Sequence, residues 1–369
     1  MNYSYWELKE WFNEIDFTVV GSGIVGLNCA IELKKSHPKA NILLLEKGML
    51  PQGATTKNAG FACFGSLSEL IYDLKSHTAE EVFNLVNERW KGLQILRKNL
   101  GDKNIDFQQN NGFELCESKH FFEESVSKKE MINELLKPIF KGDVFTISEN
   151  KFNFQNIHNN YITNNYEGQI DTGKMAFELL KKAQELGVKI LNNISVDNFI
   201  ENNNKVEVVT NKITFKTSKL FIATNGFSNQ LLNENVQPAR AQVLITKPIK
   251  NLHIKGTFHL DKGYYYFRNI NDRILFGGGR NIDFKTEETS TFGETKIIQN
   301  KLEQILKETI LPNTPFQIEH RWSGIMGIGN QKKPIVKQLT NNVFCGVRLG
   351  GMGIAVGSLV GQELAGLID

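Results

Sequence analysis

The sequence has no uninterrupted apolar run near the roughly 20 residues that cross a bilayer, so no membrane insertion is expected. It has only four cysteines, Cys29, Cys63, Cys116 and Cys345, far apart and without a Cys-x-x-Cys pair. That pattern argues against a zinc site and against a disulfide framework. It has no excess of either charge: 43 basic and 40 acidic residues are interspersed, for a net +3. A basic footprint for nucleic acid is therefore missing, and no nucleic-acid partner is expected. Its seven histidines, His37, His77, His120, His158, His253, His259 and His320, contain no i, i+4 pair of the kind that holds a metal, so each reads as a surface or structural residue. The start, MNYSYWELKEWFNEID, lacks the basic-then-apolar layout of a secretory signal. These absences together lead us to expect a soluble, cytoplasmic protein with plain thiols.

What is present is a chain of 369 residues, 40% of them hydrophobic, enough for a sizeable core and about two domains. Tyr5 to Asn13 reads as a short lead-in helix, Phe17 to Val20 as a strand, Ile24 to Ser36 as a helix and Asn41 to Leu45 as a second strand, which completes a βαβ unit. Leu67 to Leu100 reads as one helical stretch, and Phe122 to Leu136 as a Lys/Glu-rich helix. The α/β pattern returns with a helix over Gly173 to Leu186, then Val188 to Leu191, a meander through Val206 to Thr210 and Ile213 to Phe215, and a strand Leu220 to Ala223. A β-rich segment from Gln237 carries QVLIT, GYYYF and RILFGGG, and an apolar helix over Ile354 to Leu367 closes the chain. The fold class is α/β, α+β overall. A Rossmann-like nucleotide-binding domain (1–80, 160–236 and 323–369) is interleaved with an antiparallel-sheet substrate domain (81–159 and 237–322).

Between the first strand and helix, Gly21, Gly23 and Gly26 form G-x-G-x-x-G. The first permits a tight turn, the second lets backbone approach a pyrophosphate, and the third lets helix and strand pack closely. The helix start at Ile24 and Val25 adds free N–H groups and the positive end of a dipole. Glu46 ends the next strand 20 positions after the last glycine, followed by Lys47. There a carboxylate can accept both hydroxyl protons of an adenosine ribose and would repel a 2′-phosphate, which favours FAD or NAD over NADP.

FAD and NAD share that half, and the rest of the chain chooses between them. The segments GSGIVGLNCAIEL, LLLEKG, QGATTKNAG, SKLFIATNG, QPARAQVLIT, RILFGGGR, RWSGIMGIGNQKKPIV and GVRLGGMGIAVGSLVGQELAGLI span almost the whole sequence. In that order they resemble the D-amino acid oxidase, glycine oxidase and sarcosine oxidase family of FAD-dependent amine oxidoreductases. The resemblance implies that Thr55, Thr56, Asn58, Ala59 and Gly60 lie along the flavin phosphates and ring, and that Val196 meets the adenine through its backbone. It implies that Thr224, Asn225 and Gly226 close on the dinucleotide, with Gly324 of the W-x-G segment at the cofactor. Gly350, Gly351, Met352, Gly353 and Ile354 would open the final helix onto the pyrimidine end of the flavin, where N–H donors and the dipole stabilise the negative charge of reduction. Covalent attachment in this family uses a Cys before the final glycine cluster or a His after the ribose carboxylate. Gln317 to Val336 holds no Cys and Asn58 stands in the His position, so FAD is expected to be non-covalent, with Cys345 the remaining conceivable attachment point.

On the substrate side, members that take α-amino acids clamp the carboxylate with an Arg shortly after W-x-G, and here that place is Met326. The segment therefore sits nearer the branch that acts on amines such as γ-glutamylputrescine. Arg348 is either a displaced anion-binding charge or a sheet-edge structural residue. Tyr266 matches a position that often faces substrate; on a strand Tyr264 and Tyr266 share one face and Tyr265 takes the other. Arg280 is a weaker candidate for the cleft. The expected activity is oxidation of the C–N bond of a small amine or amino acid to an imine that hydrolyses to a carbonyl, with oxygen or another acceptor taking the electrons. The alternatives are a nicotinamide-dependent dehydrogenase, which would leave the final glycine cluster unexplained, and a catalytically inert flavin-binding sensor or carrier. Action on a modified tRNA nucleotide is disfavoured by the near-neutral charge.

Overall fold

A computed structural model describes residues 2–202 and 204–368. Two large sheets organise the chain. The strand Ile15–Val20 and the strand Ile42–Leu45 are mostly apolar because both faces of their sheet are covered, one by helices and the other by the hairpin Val196–Asn202 and Lys205–Thr210 with Leu232 and Val236. They run parallel to one another, to Thr214–Ile222 on one side and to Lys189–Leu191 on the other. Val343–Val347 joins Thr214–Ile222 in parallel, and Ile335–Gln338 closes that edge antiparallel. The helices Ile24–Ser36, Thr172–Glu185 and Gly353–Ala365 contribute Leu27, Ile31, Leu179, Val360 and Leu364 to the core against this sheet.

The second sheet has eight strands in the spatial order Ile318–Ile328, Gln237–Thr246, Arg273–Gly278, Tyr265–Ile270, Thr257–Leu260, Gly112–Leu115, Asn160–Asn164 and Phe145–Glu149. All its pairings are antiparallel except Thr257–Leu260 with Gly112–Leu115. One of its faces carries an aromatic core in which Phe258 and Phe267 stack at 4.5 Å and Phe113, Phe152 and Phe154 pack around them. The architecture is thus mixed α/β with a parallel and an antiparallel sheet, the class implied by the sequence.

The sequence reading departs from the structure mainly in where helices and strands break. The stretch Leu67 to Leu100 is two helices, Leu67–Asp73 and Ala79–Leu100. Thr78 accepts the N–H of Glu81 while Glu81 reaches back to the N–H of Thr78, so a complete capping box starts a new helix inside an otherwise periodic pattern. The Lys/Glu-rich helix is likewise two, Lys119–Ser127 and Lys129–Leu136. Conversely, the segments Ile213 to Phe215 and Leu220 to Ala223 are one strand, Thr214–Ile222, whose Thr217 pairs with Val206 of a hairpin and with Ile15 of the parallel sheet. Ile318–Ile328 runs without a break past the expected boundary at residue 323 because Gln237–Thr246 pairs with its whole length. Helix Ala79–Leu100 packs on the final helix: a Cβ on Gly92 would lie 2.2 Å from the Ala355 carbonyl oxygen. Among the described residues no helix is long and apolar enough to cross a membrane, and all four cysteines are buried and free.

Candidate functional site

The first strand ends in a turn that only glycine fits. Gly21 has φ +104°, and its N–H reaches the Leu45 carbonyl at 2.8 Å. A Cβ on Gly26 would lie 1.9 Å from the Gly21 carbonyl oxygen, so the third glycine serves helix-to-strand contact and stays off the cleft wall. The helix opens at Gly23, and the Ile24 N–H donates to Thr55 Oγ1 at 2.8 Å. Glu46, 6% exposed, braces the same turn. Its Oε2 accepts from the Ser22 N–H at 3.1 Å and the Ser22 hydroxyl at 2.7 Å; its Oε1 accepts from the Gly48 N–H at 2.9 Å and more distantly from Gln52 at 3.4 Å. The long contact leaves acceptor capacity on Oε1 for another hydroxyl.

The loop after Glu46 is organised by Asn58. Its amide nitrogen donates to the Ala54 and Thr55 carbonyls, and its Oδ1 accepts from the Gly60 N–H and the Thr172 hydroxyl. Trp322 Nε1 donates to the Lys57 carbonyl at 3.0 Å, which ties the second sheet to this loop. Farther along, Asn225 Oδ1 accepts the N–H groups of Arg348 and Leu349, both at 3.1 Å, and so pins the turn that leads to Gly350 and Gly351. The helix Gly353–Ala365 starts immediately afterwards. It crosses the first helix where Gly361 and Gly357 allow contact: a Cβ on Gly361 would come 2.7 Å from the Val25 carbonyl oxygen, and one on Gly357 2.6 Å from Ile24 Cγ2. The two glycine-led helix starts, more than 300 residues apart in sequence, are thereby brought side by side.

They open on a single cleft of about 810 Å³. Gly21, Gly23, Ile24, Val25, Glu46 and Lys47 line one part of it. Thr55, Asn58, Ala59 and Gly60 follow, with Val196 and the run Thr224, Asn225 and Gly226. Gly324, Met326 and the run Gly350, Gly351, Met352, Gly353 and Ile354 complete that part of the wall, and Tyr266 and Arg280 stand on the second sheet's side. Tyr266 lines the cleft while Tyr265 is buried in the aromatic core, as strand alternation requires, and Tyr264, which precedes the strand, lines the cleft as well.

Two expected site residues besides Gly26 are not on the wall. Thr56 turns away and donates its hydroxyl to the Pro51 carbonyl at 2.6 Å. Arg348 is 7% exposed with φ +65°. That backbone directs its guanidinium to the Lys333 carbonyl at 2.9 and 3.1 Å and to the Asn235 carbonyl at 3.3 Å. It does not line the cleft and among the described residues forms no salt bridge; it clamps two loops, and burial lowers its pKa. Cys345 lies within the strand Val343–Val347, buried and off the cleft wall.

Other lining residues escaped the sequence reading: Phe61, Cys63, Glu69 and above all His259. The Cys63 thiol is pushed well up by burial first, then by the charges of Glu167 and Glu69. His259 Nε2 lies 2.7 Å from Glu167 Oε1. Burial would lower its pKa, yet the charge and hydrogen bond of Glu167 outweigh that and raise it to about 9. The signal for His259 was available in TFHL: Phe258 and Leu260 are core residues, so Thr257 and His259 must face the other way.

The cleft has the polarity of a dinucleotide site. A buried carboxylate ends one strand beside a glycine turn, two helix starts present N–H groups without intrahelical partners, and the Thr224 hydroxyl on the wall is buried with no hydrogen-bond partner among the described residues. Residues 16–367 match the family described as DAO, FAD dependent oxidoreductase. The chain belongs to that family. As an FAD-dependent oxidoreductase it is an enzyme, and its family implies FAD as cofactor. The probable oxidoreductase OrdL of Haemophilus influenzae is 20% identical, the match covering 95% of this chain and 82% of that one. Among solved structures, glycine oxidase from Geobacillus kaustophilus superposes with TM-score 0.76 at 16% identity, over 96% of this chain and 94% of the other. L-proline dehydrogenase from P. horikoshii gives 0.73 at 20% identity, over 96% and 93%. Iminodiacetate oxidase from Chelativorans sp. BNC1 gives 0.74 at 17% identity, over 95% of each. At these identities the structural likeness establishes the fold.

Proposed function

We propose that this oxidoreductase binds FAD non-covalently and oxidises the C–N bond of a small amine or amino acid. The observation that carries the reading is the convergence of both glycine-led helix starts on one cleft. Glu46 would hold the ribose, the turn Gly21–Val25 and Thr55 the phosphates, Thr224 to Gly226 the dinucleotide and Gly350 to Ile354 the ring edge. When bound, FAD supplies a two-electron acceptor for the substrate hydride; the nitrogen releases a proton, and water converts the resulting imine to a carbonyl compound and a free amine or ammonia. The N–H groups at the start of Gly353–Ala365 favour negative charge at the site they face. Phe61, Tyr264 and Tyr266 form an aromatic wall that orients a small substrate and displaces water from around it. The names of the solved relatives, glycine oxidase, iminodiacetate oxidase and L-proline dehydrogenase, support an amino acid or amine as substrate class.

The neutral, buried Cys63 thiol supports non-covalent binding, because a thiolate is the nucleophile in thiol chemistry. Four free buried cysteines support a reducing compartment such as the cytoplasm. Oxygen or another acceptor would reoxidise the flavin. We further propose a division into a flavin-binding and a substrate domain along the two sheets, with Ile318–Ile328 belonging to the substrate sheet.

The test is the visible spectrum of the purified protein followed by anaerobic mixing with a panel of amines and amino acids. A yellow protein whose flavin bleaches with at least one of them, and is recovered in the filtrate after denaturation, is the expected result. A colourless protein that takes up no flavin overturns the reading. A bound flavin inert to the whole panel points instead to a sensor or carrier.

A further inference from the structure

His259 lies on the second sheet and lines the cleft. It is 6% exposed, on the strand Thr257–Leu260, and Nε2 is held by Glu167 Oε1 at 2.7 Å. The same Oε1 accepts the Thr257 hydroxyl at 2.7 Å, so the carboxylate is itself fixed. Nδ1 has no protein partner among the described residues, and the side chain lines the cleft. The ring meets Phe61 edge-on at 5.3 Å, and Phe61 meets Tyr266 at 5.7 Å, so one N–H donor is set among aromatic walls.

The titratable groups around it come from five segments. Glu167 is the bonded partner; Glu114 lies beside it in the parallel register of Gly112–Leu115; Glu69 reaches it from Leu67–Asp73; Tyr266 is opposite it in the antiparallel register; and Cys63 follows the strand Phe61–Ala62. Glu69 is engaged as an N-cap partner of Ser66. Glu114 is driven by burial toward its neutral form. Elsewhere on the wall the side chains of Lys262 and Arg280 have no carboxylate partner among the described residues, and Arg280 lies over the Phe284 ring at 4.7 Å. These two cations stand on the wall apart from the carboxylates of Glu167, Glu69 and Glu114 that surround His259, and Met326, at the place where the resemblance puts a carboxylate-clamping arginine, supplies no charge.

We propose that His259, fixed by Glu167, is a specificity-determining residue whose Nδ1–H receives the carboxylate of a carboxylate-bearing amine substrate, in place of the arginine absent at 326. The inference rests on the proposed amine oxidation for the word substrate. It makes Glu167 a positioning residue, acting through the imidazole. An imidazolium donor makes a charge-assisted bond to a carboxylate and cannot bond to an ammonium, so it also fixes which end of the substrate faces the second sheet.

The test uses benzoate as probe and benzamide as its neutral counterpart, with binding read by saturation-transfer NMR and, where flavin is bound, by perturbation of the visible bands. Benzoate is expected to bind the wild-type protein and benzamide at least tenfold more weakly. His259→Gln keeps a donor for Glu167 and removes the cation; benzoate affinity should fall at least tenfold. Wild-type affinity should decline as pH passes about 9, and Glu167→Gln should move that decline to lower pH. Equal binding of the two probes, a H259Q affinity within threefold of wild type, or a pH profile unmoved by E167Q overturns the proposal. Should H259Q fail to fold, the wild-type and E167Q profiles decide. A yellow protein that binds no benzoate refutes this inference and leaves the proposed function standing; a colourless protein refutes the function, and the NMR arm still reads the pocket.

Discussion

Gly26→Ala is the smallest change that attacks the convergence on which the site depends. The added Cβ would sit 1.9 Å from the Gly21 carbonyl oxygen and 3.3 Å from Val19 Cγ1. Contacts under 3.0 Å do not persist, so the helix Ile24–Ser36 must retreat by at least 1.1 Å from the turn. The obstacle is backbone, so no rotamer change relieves it, and the cost belongs at the upper end of overpacking, about 3 kcal/mol. With an unfolding entropy of about 2.1 cal/mol/K per residue, a chain of 369 residues should lose roughly 4 °C in Tm. Flavin should bind at least tenfold more weakly, about 1.4 kcal/mol, because the moved helix start lines the cleft. Gly53→Ala is the control from the same wall: φ is −70° and a Cβ there meets nothing within 4 Å, so it should stabilise by about 0.4–1 kcal/mol. Differential scanning fluorimetry and flavin titration read both variants. A G26A protein that melts within 1 °C of wild type and keeps its flavin affinity would refute the reasoning.

Arg348→Met removes three donor contacts to the Lys333 and Asn235 carbonyls. It should cost about 2 kcal/mol in denaturant unfolding and leave benzoate affinity within twofold, whereas a large loss of affinity would return Arg348 to the cleft. Thr224→Val eliminates a buried hydroxyl that has no partner among the described residues. Flavin-free protein should gain about 1 kcal/mol while flavin affinity falls about 2- to 12-fold, and a gain in both would mean the hydroxyl does not serve the ligand. The His259 pKa is raised from 6.5 to about 9 in the folded state, so protonation favours the fold. Its stabilising contribution is complete below about pH 6.5, shrinks as pH rises, and is gone above about 9. The stability difference between wild type and H259Q should narrow over that window in urea titrations, and a difference that is flat or widens contradicts the pair.

Much of the architecture is legible locally. Gly21, Gly23 and Gly26 with Glu46 announce the first βαβ unit, because turn geometry, helix packing and a terminal carboxylate are demands of neighbouring residues. The break at Thr78 was legible in principle too, since Thr78 and Glu81 have capping-box spacing, but a strong apolar periodicity concealed it. Arg348 could not be placed from its neighbours. Its direction depends on a left-handed φ and on carbonyls at Lys333 and Asn235 that come from other loops. His259 was a scattered histidine in the sequence and became a cleft-facing donor only because Glu167, 92 residues away, arrives beside it.

By itself the sequence determined the two kinds of sheet, the glycine turns at either end of the chain and many of the residues that line the cleft, since each follows from short-range stereochemistry or a run of motifs. Only the tertiary structure decided which cations remain unpaired in the cleft and which are consumed as clamps. A cation's partners are groups within a few ångströms of it, and in this fold they come from separate segments: the carbonyls that hold Arg348 lie 15 and 113 residues from it, and the carboxylate that holds His259 lies 92 residues away.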